Sequence, residues 1–92
     1  MKTLNKNEVC LIVPAYNESS TIHQVLNDIR KIGFTVLVVD DGSTDNTANI
    51  CELDKNVILI KHGKNLGYVE ALNTGLKFLS EKNYKYIVTL DA

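Results

Sequence analysis

The sequence predicts an α/β protein: a four-stranded parallel sheet with helices on both faces, in the order βαβαβαβ. Three observations predict it. Short apolar runs rich in β-branched residues recur at Val9 to Val13, Val36 to Val39, Val57 to Ile60 and Tyr84 to Leu90. Near-continuous runs of this kind belong to strands buried on both faces. Between them lie stretches of helical period, roughly 10 to 15 residues long, the spacing of parallel strands joined by right-handed crossovers. Each run also leaves through a polar segment, most plainly Asp40-Asp41-Gly42-Ser43-Thr44-Asp45.

The first strand, Val9-Cys10-Leu11-Ile12-Val13, ends at Pro14, which cannot donate to a ladder. Ala15 to Ser20 forms a loop in which Asn17, Ser19 or Ser20 is available to cap the next helix. Ile22, Val25, Leu26 and Ile29 then mark one apolar stripe. Arg30 and Lys31 suit the negative end of that helix, and Gly33-Phe34 resembles a Schellman stop. Thr35 to Asp40 is the second strand. A shorter helix follows over about Asp45 to Leu53, with Ile50 and Leu53 expected to face the sheet. Val57 to Ile60 is a third buried strand that exits through Lys61-His62-Gly63-Lys64-Asn65-Leu66-Gly67. Leu72, Gly75, Leu76 and Leu79 stripe the third helix. Gly75 costs about 1 kcal/mol there against alanine, so a close helix-to-sheet approach is its expected use. Tyr84 to Leu90 supplies the last strand before Asp91-Ala92.

Length and composition bound the function. The 92 residues make one domain with a modest core, 45% hydrophobic and 23% charged. A net charge of −1 gives no support for a nucleic-acid partner or an anionic membrane surface. No apolar run approaches the roughly 20 residues that span a bilayer, so no membrane segment is expected. Met1 to Glu8 is polar, unlike a signal peptide, and is expected to be a flexible lead-in to a domain over residues 9–92. Cys10 falls in a strand and Cys51 in a helix, so two buried reduced thiols are expected, in a reducing, cytoplasmic setting.

In a parallel sheet all four strand exits share one edge. There the exits bring together Tyr16, Asn17 and Glu18; Asp40, Asp41 and Ser43; Lys61, His62, Lys64 and Asn65; and Asp91. Open α/β sheets bind ligands at that edge. A dinucleotide or P-loop site needs glycines after the first strand, and Pro14-Ala15-Tyr16-Asn17-Glu18 has none. Bare carboxylates repel a diphosphate, but they suit the neutral end of a nucleotide or a divalent cation beside phosphate. Tyr16 offers a face for base stacking, or half-buried packing. Ionised Asp41 suits a base imide N–H or a ribose hydroxyl. Asp91 suits ribose or a metal. Lys61, His62 and Lys64 are available to offset phosphate charge, with His62 and Lys64 otherwise solvated loop residues. Asp40 is expected to accept backbone N–H bonds.

Taken together, Val13-Pro14-Ala15-Tyr16-Asn17-Glu18, Val38-Val39-Asp40-Asp41-Gly42-Ser43-Thr44-Asp45, Asn65-Leu66-Gly67 with Ala71 and Gly75, and Leu90-Asp91-Ala92 resemble the amino-terminal half of a family 2 glycosyltransferase. The resemblance implies a truncated GT-A fold, Rossmann-like, over nearly the whole chain from about residue 9. Within the family the chain is most similar to the branch moving sugars from nucleotide diphosphates to polyprenyl phosphates or surface polysaccharides. It implies that Pro14, Tyr16 and Glu18 line the nucleoside pocket and that Val39 and Asp41 contact the base. Asp91, with Ala92 beside it, corresponds to the start of the family's Asp-x-Asp motif, contacting ribose or the Mg²⁺ or Mn²⁺ ion of the full-length parent.

The departures shape the expectation. The second acid of that motif is absent, and Gly67-Tyr68-Val69-Glu70 lacks the basic residue several relatives carry. The resemblance therefore implies a truncated piece whose parent, soluble or at the cytoplasmic face of a membrane, transfers sugar from a nucleotide-diphosphate sugar. The 92 residues alone are expected to bind nucleotide poorly and turn over nothing. The alternative is a non-catalytic nucleotide-binding or self-assembling module, since exposed strand edges and uncovered helix faces favour a homo-oligomer. A nucleotidyltransferase is a third reading.

Overall fold

The structure, a computed structural model, describes residues 5–91. Strands β1 (Val9–Ala15), β2 (Thr35–Asp40), β3 (Val57–Lys61) and β4 (Tyr86–Thr89) form one parallel sheet in the order β3-β2-β1-β4. Helices α1 (Ile22–Ile32) and α2 (Thr47–Glu52) pack on one face, and α3 (Tyr68–Leu79) packs on the other. This is the Rossmann-like α/β architecture that the hydrophobic pattern implies.

Strand alternation explains the two cores. Val9, Leu11, Val13 and Ala15 of β1 join Val36 and Val38 of β2 against Ile22, Leu26 and Ile29 of α1 and Cys51 of α2. Cys10 and Ile12 join Leu37 and Val39 against Ala71 and Leu79 of α3. Each of these large apolar side chains contributes about 1.5–3 kcal/mol by burial. The central strands β1 and β2 therefore carry most of the stability. The edge strands carry less: β3 is only half-buried and β4 is exposed throughout. An edge strand has one neighbour, and no helix among the described residues covers β4. The expectation of a fully buried third strand is corrected on this ground.

Several expected details shift. Lys6–Glu8 form a single 3-10 turn, with Asn5 Oδ1 accepting from Asn7 N, where a flexible lead-in was expected. Glu8 ties that turn to the approach to β4, accepting from Lys85 N at 2.9 Å and pairing with Lys85 Nζ at 3.0 Å. Residues 1–4 of the expected lead-in lie outside the described residues. The N-cap of α1 is Thr21, with no side-chain cap bond, and the Asn17 side chain bonds to Thr44 N instead. Gly33 ends α1 at φ 92°, donating its N–H to the Ile29 carbonyl at 3.0 Å. Helix α2 is shorter than expected, and Leu53 is 85% exposed. Thr47 and Cys51, four apart, face the sheet, and Leu53 stands about 200° round the helix from Cys51.

Helix α3 buries Ala71, Gly75 and Leu79, whereas Leu76, expected in the stripe, is exposed. The helix seats its smallest residues on the sheet. A Cβ at Gly75 would stand 3.0 Å from Ile12 Cγ2 and 3.4 Å from Val39 Cγ2, which is the close approach expected of this glycine. Cys10 and Cys51 are both free and lie on opposite faces of the sheet. Burial pushes each thiol up to about 11. No helix among the described residues is long and apolar enough to cross a membrane.

Gly75→Val drives a branched side chain into Ile12 and is expected to cost about 2–3 kcal/mol in urea unfolding. Leu53→Ser is expected to stay within about 0.5 kcal/mol of the parent, as a substitution at an exposed site.

Candidate functional site

Because the strands are parallel, the loops after β1, β2, β3 and β4 gather at one edge. They enclose a cleft of about 740 Å³. Pro14, Tyr16, Glu18, Asp41 and Asp91 all line it, so five of the seven residues expected at the site share one hollow. Asn65, Gly67, Tyr68 and Ala71 line it too. Val39 does not: it is fully buried against α3, beneath the strand exit. Ala92 lies outside the described residues.

The adjacent acids Asp40 and Asp41 take opposite faces, as successive residues of an extended chain do. Asp40 points to the α1–α2 side and accepts from Ser43 N at 3.3 Å and from Ser43 Oγ, closing the turn. Asp41 points to the α3 side. Its N–H extends the ladder to the Ala15 carbonyl at 2.8 Å. Its Oδ1 accepts from His62 Nδ1 at 2.7 Å and Leu66 N at 2.9 Å, and its Oδ2 accepts from Gly67 N at 2.8 Å. Burial pushes this carboxyl up, but the bonds from His62, Leu66 and Gly67 outweigh it and hold it below the usual carboxylate range. Gly42, at φ 75°, makes this packing possible. A Cβ there would lie 2.4 Å from the Lys64 carbonyl carbon and 2.5 Å from Asn65 N.

A second set of bonds fixes the loop that carries Tyr16 and Glu18. Asn17, at φ 53°, accepts on Oδ1 from Thr44 N at 2.8 Å, and its own N–H donates to Ser43 Oγ at 2.9 Å. Glu18 N donates to Thr47 Oγ1 at 2.9 Å. The exposed Asp45 carboxylate accepts from the Thr47 hydroxyl, from Thr47 N at 2.9 Å and from Ser19 N at 3.2 Å. The Thr47 hydroxyl leads in drawing the Asp45 carboxyl down to about 2. Thus the Ser43-Thr44-Asp45 segment zips the β1 loop to the β2 loop, while Asp45 also receives the Thr47 N–H at the start of α2. Tyr16 stays 43% exposed on the cleft.

The three basic residues take three different places. Lys61 turns to α2 and pairs with Glu52 at 2.7 Å, which pushes the Lys61 ammonium up. Lys64 is exposed and does not line the cleft. His62, expected in solvent, has a side chain only 9% exposed and bridges Asp41 to Thr74 Oγ1, the latter at 2.8 Å. Among the described residues, those lining the cleft include the acids Glu18, Asp41 and Asp91 and no lysine or arginine. Such a surface suits a neutral nucleoside or a cation and repels a bare diphosphate. Asp91 is exposed, and among the described residues its carboxylate accepts from Tyr68 OH at 3.4 Å. No group of three His, Cys, Asp or Glu able to hold a metal ion occurs among the described residues. Asp91 fits as one oxygen ligand of a Mg²⁺ or Mn²⁺ ion that takes its others from phosphate and water. Thr74 and the Leu66 and Gly67 amides were beyond sequence reasoning, since their partner lies 25 or more positions away for the amides and beyond His62 for Thr74.

Asp41→Asn replaces an all-accepting group by one that also donates, and is expected to cost about 3 kcal/mol at neutral pH. The depressed Asp41 contributes its stability above the ordinary carboxylate range and loses it as pH falls through its lowered value. In urea unfolding followed against pH, the gap between parent and variant should therefore close below about pH 4.

Comparison with known proteins follows from this geometry. The chain matches the family described as Glycosyl transferase family 2 over residues 10–92. It is 45% identical over 86 residues to an uncharacterized protein of Methanocaldococcus jannaschii, covering 87% of this chain and 38% of that protein. It is 38% identical over 101 residues to the UDP-N-acetylglucosamine–dolichyl-phosphate N-acetylglucosaminyltransferase of Methanococcus voltae, covering 91% of this chain and 40% of that one. It is 30% identical over 90 residues to the poly-beta-1,6-N-acetyl-D-glucosamine synthase of Staphylococcus aureus, covering 91% of this chain and 21% of that one. The chain thus spans two fifths or less of the length of these relatives. The Rossmann-like sheet, the acid-lined cleft at its carboxyl edge and the match over nearly the whole chain lead to one conclusion: the chain belongs to glycosyltransferase family 2.

Proposed function

We propose that this chain forms the donor-nucleotide half of a glycosyltransferase that moves a sugar from a nucleotide diphosphate to a lipid-phosphate or saccharide acceptor. The observation that carries the reading is the convergence of Tyr16, Asp41 and Asp91, from three separate loops, on one cleft. Tyr16 presents an open aromatic face for the base, with Pro14 and Glu18 beside it. Asp41 accepts an N–H from the base edge. Asp91, on the β4 exit, faces the ribose and the diphosphate. A Mg²⁺ or Mn²⁺ ion bound through Asp91 would neutralise the departing diphosphate as the glycosidic bond breaks. With acids and no bases along its walls, the cleft takes the nucleoside end unaided and takes the phosphates with a cation. Two of the named relatives act with N-acetylglucosamine, which makes UDP-N-acetylglucosamine the first donor to test. The free thiols accord with a reducing, cytoplasmic setting for the domain.

The 92 residues are expected to bind donor weakly and to transfer nothing by themselves. Titration with UDP-N-acetylglucosamine plus Mn²⁺, followed by ligand-observed NMR, should show saturable binding displaced by uridine diphosphate. Tyr16→Ala should weaken it about tenfold through lost stacking, with the fold unchanged because the ring is exposed. Absence of binding with and without Mn²⁺ would overturn the reading, and sugar release above the buffer rate would overturn the expectation of no turnover. The exposed apolar edge at β4 favours the second reading, a self-assembling module. A concentration-dependent dimer mass without nucleotide binding would establish that alternative.

A further inference from the structure

Asp41 meets the cleft in an orientation that other groups impose. Two oxygens offer about four acceptor sites, and three are occupied by His62 Nδ1, Leu66 N and Gly67 N. The remaining site belongs to Oδ2, which also accepts from Gly67 at the cleft wall. Behind Asp41 the chain of bonds continues. His62 Nε2 lies 2.8 Å from Thr74 Oγ1, on the helix that covers this face of the sheet. Both ring nitrogens are therefore engaged. An ionised carboxylate only accepts, so Nδ1 carries a hydrogen. In the neutral ring Nε2 is then an acceptor, and the Thr74 hydroxyl donates to it. A flipped ring would turn carbon toward both partners, so the hydroxyl selects the imidazole's orientation.

We infer that His62 and Thr74 are positioning residues of the ligand site: the Thr74 hydroxyl orients the imidazole, and the imidazole aims the Asp41 carboxylate into the cleft. The inference rests on the nucleotide-binding reading for its ligand but not for its geometry. Partners one shell removed from a binding group commonly change affinity by an order of magnitude or more when lost. A mere tether between loop and helix would instead change stability and leave the affinity of the folded protein alone.

The test uses the 92-residue chain with Thr74→Val, which deletes the hydroxyl at nearly constant shape, and Thr74→Ser, which restores it. In the folded valine variant, uridine diphosphate with Mn²⁺ should bind about tenfold more weakly, with the serine variant within about twofold of the parent. Independently of nucleotide, hydrogen exchange at the Leu66 and Gly67 amides should quicken at least about fivefold in Thr74→Val, while core amides such as Leu37 keep the parent rate. Thr74→Ala, which favours the helix, repeats both measurements should the valine chain fail to fold. Unchanged exchange at Leu66 and Gly67, or unchanged affinity in a folded variant lacking the hydroxyl, overturns the inference. A parent chain that binds no nucleotide instead sinks the functional reading, and the exchange rates then decide the positioning role by themselves.

Discussion

The buried carboxylate of Asp41 is the constraint on which the carboxyl edge of this sheet depends. A charge only 4% exposed is costly unless it is fully hydrogen-bonded. Here its donors come from His62, Leu66 and Gly67, all in the segment between β3 and α3. That segment must therefore fold back across the end of β2, and it does so over Gly42, where a side chain would meet backbone atoms of Lys64 and Asn65. The start of α3, the wall of the cleft and the seat of Tyr68 all follow from this one requirement. Acceptor-only chemistry at the base of the cleft follows from it as well.

A simpler geometrical rule explains how two identical neighbours come to do different work. Strand alternation sends Asp40 toward α1 and α2, where it closes a turn on Ser43, and sends Asp41 toward α3, where it faces the cleft. The same alternation sends Lys61 to Glu52 on the α2 side and away from the cleft. The result is a site lined by acids and an aromatic ring. Its chemistry accords with the donor proposed above, in which a neutral nucleoside is joined to a charged diphosphate. The relatives named for N-acetylglucosamine transfer and polymer synthesis are more than twice the length of this chain.

Much of this was legible in the residues, and the failures share a cause. Among the described residues, hydrophobic runs located the four strands and helical spacing the three helices, although only β1 and β2 are buried on both faces. The convergence of Tyr16, Asp41 and Asp91 needed only the parallel order of the strands. Leu53 and Leu76 were misplaced because an apolar residue at the margin of a helical stripe faces in or out according to how the helix rolls. That roll is set by the small residues Ala71 and Gly75 in α3, and by the shortness of α2. Val39 was expected at the ligand and lies in the core, since the carboxylate of Asp41, two residues further along on the same face, is the group that emerges.

The amino-acid sequence by itself determined the order of elements, the sheet edge that carries the site and the chemical types gathered there, because these depend on periodicity and on chain direction alone. Only the tertiary structure decided which polar groups are partners. His62 looks like a solvated loop histidine until Asp41 and Thr74 are seen on either side of it, and nothing along the chain pairs Ser43, Thr44 and Asp45 with Asn17 and Ser19, which the folded loops bring to them. The physical reason is range. Hydrophobic patterning is written along neighbouring residues, whereas a hydrogen bond needs two groups within about 3 Å, and loops separated along the chain acquire that proximity only when the sheet assembles.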